Sequence, residues 1–554
     1  MASPEVSGRF GYGQPPGRED VARAPDIHNM HALGPTRILP LRLPRVCVAI
    51  AGSDAAEMIA KAEGLIRDNL LLEFRLDYLK QPASGIARIR RFVEFYPQVI
   101  AIGTCRRAVN GGKFRGSASA QVDLLMKAAD AGCQLVDLEL QSAESLKAVE
   151  FNRLRSRAGL VLSYHDFRST KKLDDVFKRM LAFSAEFYKV VSTATTLSDN
   201  VTMMKFLQQR SARHSVIGMC MGEQGIISRV LGVRAGSVFT YGAANSGEET
   251  APGQVTAKVL RDDYRVEMID AATRVYGVAG DPVAHSLSPL VMNTAFRREN
   301  VNAVFVTLHA RKIQDLLTCV REIPISGLSV TMPYKTEILD HLDNTDPLTA
   351  KVGACNTVVR GQESKLYGFN TDIAGVLRPL EQRLALAGAK VLIIGAGGAA
   401  RAAIFGLKER GAEVYILNRT AAKAQKLARR AHARFIRRPD VRKTQFDVIL
   451  NATPVGMGTG KDSVLKDVEI NARFVMDMVY DPTDTKLLKL ASLRGAQVIN
   501  GLEMFTNQAA RQFEIWTGKP APLIEMQSAL TVAMAAAAAS AEAEGKKGAK
   551  KKAH

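Results

Sequence analysis

Tryptophan is almost missing from this 554-residue chain: Trp516 stands alone, and aromatic residues make up only 6%. That scarcity excludes the stacked-aromatic platform on which proteins hold single-stranded nucleic acid. Cysteine is equally sparse. Cys47, Cys105, Cys133, Cys220, Cys319 and Cys355 lie far apart with no CxxC pair. Such spacing builds neither a disulfide frame nor a zinc site, and the six read as buried thiols in a reducing compartment. No run of ~18 uncharged apolar residues occurs, so no membrane span is expected. Residues 1–44 lack a signal-peptide core, and Glu5, Glu19, Asp20 and Asp26 argue against an acid-poor transit peptide. They read as a flexible Gly/Pro-rich arm of a cytoplasmic protein.

Positive charge, by contrast, is abundant: 75 Lys+Arg against 55 Asp+Glu leave a formal +20. Part of it is a basic tail over 539–554, ending GKKGAKKKAH. The remainder is scattered rather than striped, which suits a field that draws in small anions and not a nucleic-acid footprint. No metal site is expected. The 47% hydrophobic and 23% charged fractions are those of an ordinary globular chain with room for several domains.

From Val46 onward eight short apolar runs recur with helix-like stretches between them: VCVAIAG, LLEFRLD, QVIAIGTCR, QLVDLEL, AGLVLSYHD, FYKVVST, SVIGMCM and SVFTYG. Each has the length of a strand buried on both faces. Eight β-α alternations in about two hundred residues predict a closed parallel barrel, with an open doubly wound sheet as the alternative that periodicity leaves standing. Glu73, Arg75, Arg106, Glu139, His165, Lys189 and Arg229 fall at or beyond the C-terminal ends of these runs. In a barrel those ends converge on one mouth, where the chemistry of this architecture sits. Lys189, inside an apolar strand, must be paired or functional. Burial and neighbouring arginines would disfavour its protonated form and leave an amine able to attack a carbonyl. His165 at the same mouth is a natural proton shuttle, and Arg106 and Arg229 suit a bidentate carboxylate.

LEFRLDYL, TCRR…NGGKFRG, SYHDF, FYKVV, GIISR and TAPGQ together resemble a type I 3-dehydroquinate dehydratase over about 45–262. The resemblance implies that Lys189 forms an imine with the ring ketone and that His165 removes the adjacent proton. It assigns Glu73, Arg75, Arg106, Arg229, Thr250 and Gln254 to substrate holding. One position departs: the family places Glu before the Gly-Gly of the third motif, bonded to the histidine, and this chain has Asn110. An amide lends no charge to an imidazolium, so a lower His165 pKa and a slower dehydratase are expected.

After a short connector a second unit opens with RVYGVAG. In GDPVAHSLSPLVMN, Ser286 and Ser288 lie at a helix start, either as ordinary caps or as carboxylate ligands. GLSVTMPYKTE places Lys335 four residues past Thr331. GACNTVV and YGFNTDIAG add Asn356 and Asp372, and Lys with Asp in a cleft makes a proton-transfer pair. KVLIIGAGGAARAAIFGL reads as strand, glycine turn Gly395-Ala396-Gly397-Gly398-Ala399, then helix, the context that gives a dinucleotide fingerprint its meaning. The next strand ends in Asn418-Arg419-Thr420 with Lys423 beyond, where an NAD site carries an acid. Positive charge there predicts NADP(H), whose 2′-phosphate an acid would repel.

VAHSLSP, VTMPYK, GACNT, NTD, GAGGAA, NRT, NATPVGM and GLEMFTNQAARQFEIWTG resemble shikimate dehydrogenase over about 273–538. That resemblance implies Lys335 and Asp372 as the catalytic pair. Ser286, Ser288, Thr331, Asn356, Tyr480 and Gln508 would hold substrate. Gly395 to Ala399, Asn418 to Thr420, Lys423, Thr453, Met478 and Gly501 would meet the cofactor. Family members often carry Arg at the Lys423 position. The whole is expected to be α/β: an N-terminal (β/α)8 TIM barrel (45–262), a substrate-binding domain (273–380), a Rossmann domain (381–500) and returning C-terminal helices (501–538). Two consecutive shikimate-pathway activities follow for a monomer or homodimer acting on small anions. A quinate/shikimate dehydrogenase with a weak dehydratase half, and a non-catalytic metabolite sensor, remain as alternatives.

Overall fold

The computed structural model describes residues 42–283, 286–458 and 460–536. The basic tail and all of the N-terminal arm except residues 42–44 lie outside the described residues.

The eight apolar runs form eight parallel strands: β1 (Val46–Ile50), β2 (Leu71–Arg75), β3 (Ile100–Thr104), β4 (Leu135–Glu139), β5 (Gly159–His165), β6 (Phe187–Thr193), β7 (Val216–Met221) and β8 (Thr240–Ala243). Their hydrogen-bonded order is β7-β6-β5-β4-β3-β2-β1-β8. The barrel is nearly closed rather than laddered all round: β7 and β8 meet at a seam where Val238 N donates to Val216 O at 2.9 Å. Side-chain alternation gives the interior two zones. Leu71, Leu135, Val161, Phe187 and Ile217 pack together at its N-terminal end. Two and four residues on, the same inward face of the strands brings Glu73 and Arg75, Asp137 and Glu139, Ser163 and His165, and Lys189. The other face, including Val48, Phe74, Val136 and Leu162, packs against the outer helices.

A second sheet has the order β10-β9-β11-β13-β14-β12, from β9 (Arg274–Gly280), β10 (Ala303–His309), β11 (Ile325–Val330), β12 (Asn344–Thr345), β13 (Thr357–Arg360) and β14 (Leu366–Phe369). β13 runs antiparallel to both β11 and β14. The third sheet is wholly parallel, in the order β17-β16-β15-β18-β19-β20. Its strands are β15 (Lys390–Ile394), β16 (Glu413–Leu417), β17 (Arg434–Phe435), β18 (Phe446–Asn451), β19 (Ala472–Asp477) and β20 (Gln497–Ile499). This is the doubly wound dinucleotide-binding order, whose crevice opens where β15 and β18 diverge. Helix Gly501–Thr517 then returns to the second sheet. Trp516 Nε1 donates to Val358 O at 3.1 Å, and Gln512 Nε2 to Ser329 Oγ at 3.1 Å.

Candidate active sites

A cavity of about 40 Å³ lies in the C-terminal mouth of the barrel. Glu73, Arg75, Arg106, His165, Lys189, Arg229, Thr250 and Gln254 all line it, with Phe167, Met219 and Tyr241. Lys189 is 4% exposed. Its Nζ lies 3.0 Å from Asp137 Oδ2, 3.5 Å from Glu73 Oε1 and 3.8 Å from the Tyr241 ring centroid. The expectation that arginines crowd this amine is therefore corrected: its nearest charges are acids. The inward alternation of β2 and β4 delivers carboxylates at that height.

Asp137 is the hub of the cavity. It accepts from Lys189, from Ser163 Oγ at 2.6 Å and from Arg106 Nη2 at 3.2 Å through each oxygen. Burial alone would raise its pKa; Lys189 first, then Arg106 and His165, outweigh that and hold it well below the usual carboxylate range. Arg106 Nη1 also lies 2.8 Å from His165 Nε2. A guanidinium only donates, so Nε2 carries the lone pair and Nδ1 the proton. Burial first, then the Arg106 and Lys189 cations, push this imidazole well below 6.5. His165 Nδ1 and Asn110 Nδ2 are both buried without a partner among the described residues, so Asn110 gives the imidazole neither charge nor hydrogen bond.

The remaining positions divide by what already holds them. Arg75 forks onto Asp77 at 2.9 and 2.8 Å. Thr250 N and Oγ1 both donate to Gln254 Oε1, at 2.8 and 3.1 Å. Glu139 accepts from Arg107 N at 2.8 Å and from Gln121 Nε2, and its Oε1 lies 4.0 Å from Arg106 Nε. Arg229, on helix Ile226–Leu231, is 1% exposed and has no carboxylate partner among the described residues. Its bonds reach only Met219 Sδ at 3.6 Å and Pro252 O at 3.3 Å, and burial brings it down to about 10. Of the two arginines expected to grip a carboxylate, Arg106 is committed to Asp137 and His165, and Arg229 is the cation without a carboxylate partner among the described residues.

The second site gathers around Asp372, the first residue of helix Asp372–Glu381, an end that favours a carboxylate. Lys335 Nζ lies 2.5 Å from its Oδ2, and Asn356 Nδ2 donates to Oδ1 at 2.7 Å. Asn356 is fixed in turn by Thr371 N (2.7 Å) and Thr357 Oγ1 (2.8 Å), and it touches Gln508 Oε1 at 3.5 Å. Among the described residues no hydrogen bond joins Ser286, Ser288, Thr331 or Tyr480 to this group. Ser288 N donates to Ser286 Oγ at 3.3 Å, Thr331 N to Ala279 O at 2.9 Å, and Tyr480 packs on Phe505 with centroids 5.4 Å apart.

The glycine turn abuts the same pair: a Cβ on Gly398 would stand 4.0 Å from Lys335 Cδ. Gly395 has φ +126°, and a Cβ there would meet Ala452 O at 2.9 Å, so glycine is required. Thr453 Oγ1 donates to Asn451 Oδ1 (2.7 Å), whose Nδ2 donates to Asp477 Oδ1 (2.9 Å); Met478 N closes onto Asn451 O at 3.0 Å. At the end of β16, Asn418 Nδ2 donates to Thr420 O at 3.0 Å. Arg419 and Lys423 are exposed, and neither has an ion-pair partner among the described residues. Helix Ala421–Arg430 has no acidic residue in its first turn. A positive helix end flanked by two free cations fits a phosphate. Among the described residues no cluster of His, Cys, Asp or Glu could hold a metal, and no helix is long and apolar enough to cross a membrane.

Sequence reasoning passed over Asp137, Tyr241 and the Asn451–Asp477 pair. Asp137 carried a usable signal: a mid-strand acid in QLVDLEL poses the same question as the mid-strand Lys189.

Four family models match the chain. The one described as type I 3-dehydroquinase matches residues 46–271. The shikimate dehydrogenase substrate binding domain matches 278–358, shikimate/quinate 5-dehydrogenase 379–477, and the shikimate 5′-dehydrogenase C-terminal domain 501–531. The chain is 33% identical over 504 residues to a bifunctional 3-dehydroquinate dehydratase/shikimate dehydrogenase, chloroplastic, of Arabidopsis thaliana, covering 86% of this chain and 82% of that one. A shikimate biosynthesis protein of Chlamydia pneumoniae is 32% identical over 364 residues, 64% of this chain and 73% of its own. A shikimate dehydrogenase (NADP(+)) of Pyrococcus furiosus is 38% identical over 258 residues, 46% of this chain and 93% of its own.

Proposed function

The chain belongs to the bifunctional 3-dehydroquinate dehydratase/shikimate dehydrogenase family, and from that premise we propose how its residues divide the work. The enzyme removes water from 3-dehydroquinate to give 3-dehydroshikimate and reduces that ketone to shikimate. We assign the first reaction to the barrel (45–262) and the second to the paired domains 273–380 and 381–500 with the helices of 501–538.

In the dehydratase, Lys189 Nζ adds to the ring ketone and water departs, leaving an iminium. Asp137, Glu73 and the Tyr241 ring surround the position of that cation. His165 takes the proton from the adjacent ring carbon, and the electron pair runs into the iminium to give an enamine. Reversal of that flow expels the hydroxyl one carbon further on, and His165 returns its proton to make water. Hydrolysis frees Lys189, so one water is lost overall. At rest the base lone pair is capped by Arg106. His165 can act as a base only once that contact with Arg106 is released. Arg229 takes the substrate carboxylate; Glu73, Arg75, Thr250 and Gln254 hold the ring. Asn110 adds no charge to support the imidazolium, and the reaction is slower for it.

In the reductase, bound NADPH supplies the hydride. Lys335 donates the proton to the carbonyl oxygen, and Asp372, itself held by Asn356, aims the ammonium. Ser286, Ser288, Thr331, Asn356, Tyr480 and Gln508 enclose the substrate. Gly395, Ala396, Gly397, Gly398 and Ala399 would receive the pyrophosphate, and Thr453, Met478 and Gly501 would also meet the cofactor. Asn418, Arg419, Thr420 and Lys423 would hold the 2′-phosphate, and their charge favours NADP(H) as the cofactor. The protein acts in the cytoplasm as a monomer or homodimer, on small anions rather than nucleic acid or membranes.

One observation carries this reading: a buried lysine and a buried histidine share a cavity with a buried guanidinium that has no carboxylate partner among the described residues. The test is 3-dehydroquinate and NADPH as the only reactants. We expect one NADPH oxidised per dehydroquinate consumed, with shikimate as product. Oxidation of quinate by NAD, without dehydroquinate turnover, would favour the dehydrogenase alternative instead.

A further inference from the structure

The two catalytic units touch at one side of the barrel, and the contact is made of specific bonds. After β6, the strand of Lys189, the chain turns through Ala194–Ser198 into helix Asp199–Arg210. Four successive backbone N–H groups of that turn point outward. Asp199 Oδ2 takes those of Thr195 and Thr196, at 2.7 and 2.9 Å. The other two, Leu197 N and Ser198 N, donate to Asp315 at 2.6 and 2.9 Å. Asp315 belongs to the reductase half, in helix Ile313–Glu322 after β10. The turn that enters the barrel helix is thus held by a carboxylate from more than a hundred residues away, at the end where the helix dipole favours negative charge.

What this turn supports is the dehydratase mouth. Asn200, fully buried, donates from Nδ2 to Leu197 O at 2.9 Å and to Gln224 O at 2.7 Å, while its Oδ1 accepts from Ser228 N at 3.1 Å. The turn is thereby tied to the start of the helix that carries Arg229. On its other side Thr193 Oγ1 donates to Asp166 O at 2.8 Å, beside His165. Lys205 and Glu322, 2.6 Å apart, pin the same two helices further along, but both are exposed and contribute little.

We propose that Asp315 of the reductase half is a positioning residue for the dehydratase: by bonding Leu197 N and Ser198 N it holds the mouth that presents Arg229 and His165 to substrate. The proposal rests on the reading of the barrel as the dehydratase. It makes the reductase half a structural part of the first active site, so fusion of the units matters to the first reaction itself. Asp315 touches no substrate, and the reductase residues Lys335 and Asp372 are not among its partners.

The test uses the full-length chain with Asp315→Ala and, should that fold poorly, Asp315→Asn, which keeps the volume and removes the charge. Both reactions are assayed separately, dehydratase from dehydroquinate and reductase from dehydroshikimate with NADPH. We expect the dehydratase kcat/KM to fall about tenfold, mainly through KM, with reductase constants unchanged. Formate, a small carboxylate able to occupy the freed N–H pair, should restore part of the loss in Asp315→Ala relative to wild type at the same formate concentration. Unchanged dehydratase constants overturn the proposal. So does a parallel fall in both activities that formate does not relieve. A wild-type protein without dehydratase turnover would overturn the functional reading as well, and that result is distinguishable from a variant that merely matches an active wild type.

Discussion

Replacing Arg229 with methionine should stabilise the ligand-free protein while disabling it. Arg229 is 1% exposed, no carboxylate among the described residues pairs with it, and burial lowers it from the ordinary guanidinium range to about 10. Its folded value lies below its unfolded one, so the protonated form is disfavoured by folding. That cost is fully present below about pH 10 and fades only as pH climbs into the free guanidinium range. At about 1.4 kcal/mol per tenfold change in the protonation equilibrium, the lowering corresponds to about 3.5 kcal/mol of stability forgone at neutral pH. Methionine fills a similar length without the charge and keeps the contact with Met219, so a net gain of about 1–3 kcal/mol is expected. The enzyme keeps this strain because the same guanidinium is ready for a substrate carboxylate. Losing a charge-assisted, bidentate contact should raise KM for dehydroquinate by about a hundredfold or more. Urea unfolding followed through the barrel, with dehydratase kinetics on the same preparations, measures both effects. A less stable variant with an unchanged KM would refute the reasoning at both ends.

Other expectations follow from the same geometry. Asn110→Glu places a carboxylate near an imidazole held well below 6.5. Imidazolium is then favoured, the free base is lost at higher pH, and the acid limb of dehydratase kcat/KM should move upward; an unmoved limb contradicts this. Arg419→Ala with Lys423→Ala removes two exposed cations at a helix N-terminus that has no acid in its first turn. At about 1 kcal/mol each, NADPH kcat/KM should fall by about thirtyfold while NADH is little affected, and the difference should shrink at high salt. Equal losses with both cofactors would count against a phosphate site there. Asp372→Asn leaves Asn356 in place but takes the carboxylate from Lys335, 2.5 Å away. Reductase kcat should drop by about 10²-fold or more with the cofactor KM unchanged, and a change confined to KM would argue for binding instead.

The strands of the barrel were legible because each is a short apolar run buried on both faces, and because the exceptions, Glu73, Arg75, His165 and Lys189, all break the pattern toward one end. The seam between β7 and β8 was not, since nothing in SVIGMCM or SVFTYG says which pair of strands forgoes its ladder. Lys189 drew attention as a lone charge in an apolar strand, yet its partners did not: register decides which residues of β2 and β4 lie beside it, and that placed Asp137 and Glu73 there rather than arginines. Motif order likewise pointed to Lys335, Asp372 and the glycine turn, while their approach at Gly398 depends on how two sheets pack. Asp315 had no local mark at all. A carboxylate that holds the turn entering another unit's helix reads, in sequence, as one more acid in the first turn of its own.

The most direct measurement of the central claim is reduction with borohydride in the presence of 3-dehydroquinate, followed by peptide mapping. The account expects a single stable adduct, the reduced substrate joined to the amine of Lys189, formed only with substrate and accompanied by loss of dehydratase but not reductase activity. Continued turnover of dehydroquinate with no adduct, or with the adduct on another lysine, would contradict it.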